Sequence, residues 1–444
     1  SNLIMRTLIY LTIFFIGYYP LLKAQNNYPI IDEYIASYQF DKALIVIENE
    51  NQTKELQEKR AISYKGLDNY SKAIEVLSSL SQAYPEDLQI KSEMALCYQA
   101  LSNWSAGLNC YNALIELDSV NIYYKIKRAD MLYRLDNYKD ALVDYKALTD
   151  DYKLSNMIKR SAQCFENMNE LDSAMAYYSK AIEADTMDVF SIASLININI
   201  KQKNFEEAMR LSDSFVEKDS TNRQINLLNG LSYYGADFYE DAVSRFRRCY
   251  LNGDSSLVVN RSLGISYYSL GQNEEALPFL LKAYAQDSTN LRVLYCLGVI
   301  SNEIRDYANS VTYFGTLLDR TIPADMYLYL YFRGLAKGYE GLEEYKEAVD
   351  NYEEATRYGT RNQNMYLNFT LATIYDYDLR QADKALNYYL KYQASLRDYL
   401  EELKRREDKD ETHKLEMTNV ESSIKTLNSQ IGRLEKEVAK VTTD

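Results

Sequence analysis

The chain has 444 residues, 47% of them apolar and 26% charged, with only 15 Gly and 5 Pro. That composition excludes collagen-like, low-complexity, hairpin-rich all-β and wholly disordered chains. A formal charge of −14 argues against bulk attraction to nucleic acid or anionic membrane, and a single His (His413) cannot build a multi-His metal site.

At the N-terminal end, Met5 and Arg6 precede an uncharged apolar run from Leu8 to Leu22, followed by Lys23, Ala24 and Gln25. A basic start, an apolar stretch of 15 residues and a small residue at its end predict a secretory signal peptide over residues 1–24, cut after Ala24. The run is shorter than the roughly 20 residues of a spanning helix, which favours cleavage over anchoring. Losing Arg6 and Lys23 and no acid, the mature chain would carry −16. It is expected to be exported, to the periplasm, without a transmembrane helix.

A period of 34 residues then dominates. Gly230, Gly264 and Gly298 stand 34 apart, and Ala61, Ala95, Ala129 and, one residue short, Ala162 hold the same phase earlier in the chain. Twelve positions later runs a second series: Ala73, Gly107, Ala141, Ala174, Ala208, Ala242, Ala276 and Ser310, with steps of 34 and one of 33. Ala43, Ala348 and Ala385 extend it with irregular steps of 30, 38 and 37. Such a pattern predicts a helix–turn–helix unit repeated head to tail, the small residues letting paired helices approach closely. Large residues four positions on (Tyr145, Tyr178, Phe246, Phe314 and Tyr352) fill the seam to the next unit. Turn signals such as Leu67-Asp68-Asn69-Tyr70 separate the two helices. The five cysteines form no CxxC pair and lie in helical patterns, so free core thiols are expected.

In these features the chain resembles the tetratricopeptide-repeat family. Leu263, Gly264, Tyr267, Ala276 and Leu280 match one copy of its pattern, and Ala61, Tyr64, Ala73, Leu77 and Pro85 match another. The resemblance covers about residues 28–392 and implies an all-α, right-handed solenoid of about ten to eleven repeats over residues 25–392. It also implies that a protein or peptide partner binds along the face lined by the first helix of each repeat. By phase, the residues of that groove are Leu227, Leu231, Tyr234, Arg261, Ile265, Tyr268, Arg292, Tyr295, Arg333 and Lys337. Aromatic anchors alternating with Arg suit an extended or helical segment bearing carboxylates.

Over residues 393–444 the period changes. Met417, Val420, Ile424, Leu427, Ile431, Leu434, Val438 and Val441 alternate steps of 3 and 4, a heptad seam. Either the tail self-associates or joins a partner through this seam, or it folds back as a hairpin over the last repeat, with Lys404 to Glu411 as its turn.

No phosphate-loop, HExxH, GxSxG or calcium-loop pattern occurs, so neither catalysis nor a cofactor is expected. The leading expectation is an exported, non-catalytic interaction scaffold in a cell-envelope assembly or secretion complex, as the compositional likeness to exported proteins of Bacteroidota suggests. The alternative is a periplasmic sensory component that acts through its coiled tail.

Overall fold

The computed structural model describes residues 28–320, 325–406 and 410–441, and among these are 23 α-helices and one π-helical turn. There is no strand among the described residues. The leader expected over residues 1–24 lies outside them. Two compact units divide at Ile198 and Asn199.

The first unit holds α1 (Tyr28–Ala36), α2 (Phe40–Glu48), α3 (Lys54–Gly66), α4 (Tyr70–Ala83), α5 (Leu88–Ala100), α6 (Trp104–Leu117), α7 (Ile122–Arg134), α8 (Tyr138–Tyr152), α9 (Asn156–Asn167) and α10 (Leu171–Ala184). Helix α11 (Val189–Lys201) contains the division. The second unit holds α12 (Phe205–Lys218), α13 (Arg223–Gly235), α14 (Tyr239–Leu251), α15 (Leu257–Ser269), α16 (Asn273–Gln286), α17 (Leu291–Glu303), α18 (Tyr307–Arg320), α19 (Asp325–Gly341), α20 (Tyr345–Tyr358) and α21 (Arg361–Thr373). It ends with α22 (Ala382–Arg405) and α23 (Glu411–Val441). From α1 to α10 in the first unit and from α12 to α23 in the second, each helix packs on the next, the order expected of an all-α repeat array.

The turn between the two helices of a repeat is built the same way each time. Tyr38, Asp68, Ser102, Asp136, Asn169, Lys203, Asp237, Gly271, Arg305, Glu343 and Arg380 all have left-handed backbone, with φ between 54° and 73°. Each stands five residues before a member of the small-residue series. The N–H after it bonds a carbonyl five residues back, as in Asn69 to Tyr64 at 2.9 Å and Gln272 to Tyr267 at 2.9 Å, the Schellman closure of a helix end. Helix starts are capped by short polar side chains: Asn69, Asn103 and Asn137 before second helices, Asp87, Asn121 and Asn290 before first helices.

The small residues are fully buried where the helices cross: Ala73, Ala141, Ala174, Ala208, Ala242, Ala276 and Ser310 have no exposure. At Gly264 a Cβ would sit 2.7 Å from Leu280 Cγ, so only glycine admits this approach. Four residues on, Tyr111, Tyr145, Tyr178, Phe246, Leu280 and Tyr389 are equally buried. Tyr145 and Tyr178, with the nearly buried Tyr352 at the same step, reach through their hairpins, and their hydroxyls donate to Asp130 (2.7 Å), Glu166 (2.7 Å) and Glu340 (2.6 Å) of the first helices. That polar end satisfies a group that would otherwise be buried alone.

The irregular steps have structural causes. Helix α19 is 17 residues long where the first helices of regular repeats have 13, which accounts for the step of 38. The step of 37 follows from the π-helical turn Ile374–Asp378 added to α21.

Of the two readings of the tail, the structure forms the hairpin. Helices α22 and α23 run antiparallel, with Gln393 donating to Asn428 at 2.6 Å and the His413 ring bonded to the Leu403 carbonyl at 2.8 Å. Val420, Leu427, Ile431 and Leu434 are buried in one cluster with Leu396, Leu400, Leu403, Tyr375 and Tyr389. Met417 and Ile424 pack at its margin, and Val438 is half-buried. The seam is therefore filled within the chain. Arg433 pins α23 to the buried Asp376 of the π-helical turn. On the outer side of α23 Leu415 is the one large apolar side chain exposed among the described residues, as suits an end cap of a repeat array.

Candidate partner-binding face

In the second unit the first helices α13, α15, α17 and α19 stand side by side, each also touching the next first helix. Leu227, Leu231 and Tyr234 on α13, Tyr268 on α15 and Tyr295 on α17 are half-buried, with one side against the core. Ile265 is a correction: it is 1% exposed and belongs to the core. Its neighbour Gly264 brings α16 so close that this side of α15 turns inward.

The rings form a connected surface. Tyr268 meets Tyr295 edge to face at 6.5 Å, and Tyr295 meets Tyr331 at 6.0 Å. The Arg292 guanidinium lies 5.7 Å from the Tyr234 ring and reaches the Tyr239 hydroxyl at 3.5 Å. Burial raises the phenols of Tyr234, Tyr268 and Tyr295 above their ordinary range, so at neutral pH all three are protonated donors. The positive charges of Arg261 and Arg292 oppose that shift at Tyr234, and that of Arg333 opposes it at Tyr295.

Two cavities continue the face. One of about 210 Å³ lies between Tyr295, Val299, Phe314 and Leu330; one of about 530 Å³ lies between Tyr329, Tyr352, Gln363 and Tyr366. Leu330, Arg333 and Lys337 line both. Among the described residues Arg261, Arg292, Arg333 and Lys337 make no ion pair. The acids near them are Asp287, which feels the charge of Arg261, and Glu303 and Glu340 of the cavity walls; Glu340 already accepts from Tyr352. The face thus presents unpaired cations among half-buried aromatic rings.

The sequence reading stopped at Lys337 and missed the larger cavity's far wall on α21, where Gln363 and Tyr366 stand. The extra turn of α19 shifts the phase there, so positions counted at 34 residues no longer point to it.

A family model described as a tetratricopeptide repeat matches residues 56–87, which spans α3 and α4. No curated protein matches the sequence. Among solved structures, the chain is similar to a tetratricopeptide repeat protein from Parabacteroides merdae (11% identity, 56% of this chain and 98% of that one, TM-score 0.40). It is also similar to the C-terminal part of a TPR repeat-containing protein from Cytophaga hutchinsonii (14%, 52% and 95%, TM-score 0.45). A third is YrrB, described as a TPR protein with an unusual peptide-binding site (18%, 42% and 96%, TM-score 0.37).

Proposed function

We propose that this chain, built of tetratricopeptide repeats, is an exported, non-catalytic scaffold whose second unit binds an acidic segment of a partner protein. Repeats of this kind generally serve protein–protein interaction. The observation that carries the finer reading is the set of four unpaired cations on an aromatic face, in a chain whose net charge is −14. A carboxylate-bearing segment would receive Arg forks at its charges and ring faces between them. The basic, apolar and small-residue pattern of residues 1–24 supports export, and with it a place in a cell-envelope assembly. The sensory alternative needs a coiled seam free to transmit, whereas the seam here is filled by α22.

The test is a peptide array. Segments tiled from the envelope proteins that co-purify with the chain are probed with the full chain and sorted by net charge. Acidic segments carrying aromatic or aliphatic residues are expected to dominate. Equal binding of neutral and basic segments would refute the reading.

A further inference from the structure

The first unit contains a second charged cavity. We propose that this cavity, of about 500 Å³ and lined by Trp104, Lys127, Arg134 and Arg160, binds a small polyanion, a molecule bearing two or more carboxylate or phosphate groups.

Lys127 and Arg134 lie seven residues apart on α7, two turns along one face, and Arg160 faces them from α9. Trp104 opens α6, with its ring 5.5 Å from the Arg134 guanidinium carbon. The neutral polar groups of the wall are already committed. Gln99 donates to Tyr111 at 2.6 Å, and Tyr133 accepts from Asn167 at 2.8 Å. The wall's one carboxylate, Asp130, accepts from Tyr145 at 2.7 Å. The cations are not committed in this way. Among the described residues none of the three forms an ion pair, Lys127 and Arg134 only face rings, and Arg160 meets only Gln163 at 3.3 Å. Three cations against one engaged carboxylate leave the cavity positive inside an acidic chain.

The lining also sets the ligand's character. Apart from Ala100, Trp104 and Met131 the wall is charged or hydrogen-bonding. Its volume falls in the range of small-molecule sites, about 300–1,000 Å³. Two guanidinium forks and an ammonium around one cavity suit clustered oxyanions, each fork taking two oxygens of one group.

Trp104 is the only Trp of the chain, so its fluorescence, excited at the red edge past the 43 Tyr, reports on this cavity alone. The full chain is titrated at low salt with citrate and, separately, with inorganic pyrophosphate, with calorimetry run in parallel. A saturable response to either is expected, citrate marking a carboxylate ligand and pyrophosphate a phosphate ligand, and added salt should weaken it. Replacing Lys127→Gln together with Arg160→Gln leaves the Arg134–Trp104 contact in place and should weaken binding about tenfold or more. A helical signal and melting curve matching the unaltered chain establish that this variant is folded. Single-variant Lys127→Gln and Arg160→Gln chains, each expected to lose part of the affinity, give the same test should the double variant unfold. No saturable response or heat with either probe up to about 10 mM, a Kd limit near −2.7 kcal/mol, would overturn the proposal. So would unchanged affinity in the folded variants.

Discussion

Replacing Gly264 by Ala sets two effects of similar size against each other. In a helix interior Ala is favoured over Gly by about 1 kcal/mol. At Gly264, however, the new Cβ would meet Leu280 Cγ at 2.7 Å, Cδ2 at 2.8 Å and the backbone N at 3.0 Å. Leu280 is fully buried, and the atoms struck are a branch point and main chain, so relief requires α15 and α16 to separate. Overpacking of this kind costs about 1–3 kcal/mol, so after the propensity gain the net expectation is a loss of about 1 kcal/mol. Gly432→Ala in α23 is the control, because a Cβ there meets nothing within 4 Å and only the propensity gain of about 1 kcal/mol remains. Urea unfolding followed by helical circular dichroism reads both. A midpoint that falls for Gly264→Ala and rises for Gly432→Ala is expected. A rise for both would refute close approach of the helices as the reason for the glycine.

Further outcomes follow from the same geometry. Arg305 adopts φ 63° without glycine's freedom, so Arg305→Gly should stabilise by about 0.5–1 kcal/mol, the relieved backbone cost exceeding the added unfolded-chain entropy. Gly271→Ala, at φ 73° in open space, should do the reverse. Leu434→Ala should cost about 2–5 kcal/mol, with a melting temperature that does not depend on protein concentration, because its seam is filled within the chain. A melting temperature that climbs with concentration would instead mark self-association. Tyr145, Tyr178 and Tyr352 are held protonated above the ordinary phenol value of 10.0, first by burial and then by the carboxylates they bond. The folded chain thus holds these protons more tightly than the unfolded one. Their contribution is complete below about pH 10 and is lost as pH rises further, so the urea midpoint should be level to about pH 9 and fall above 10.

The repeat was legible because its geometry demands small residues at fixed places. Ala141, Ala174 and Ala242 had to be small, and Tyr145, Tyr178 and Phe246 had to be large. The left-handed turns carried no comparable signature, since ten of the eleven positions are not glycine and include Tyr38, Lys203 and Arg305. Counting five residues back from each alanine would have found them. The phase argument named Leu227, Leu231, Tyr234, Tyr268 and Tyr295, which the structure leaves half-buried, but it also named Ile265, which a close helix crossing turns into core. The heptad spacing of Met417 to Val438 fixed which residues form a seam and could not say what fills it. An antiparallel helix of the same chain and a second copy satisfy the same spacing.

The central claim is that the cations of the second unit recognise an acidic segment. Its most direct test is the equilibrium affinity of the strongest acidic segment from the array for the unaltered full chain and for the Arg333→Glu, Lys337→Glu double variant. Both side chains are exposed, so the variant should fold as the unaltered chain does. The account predicts a loss of about 100-fold or more and a weaker dependence on salt. Affinity and salt dependence left unchanged would contradict it.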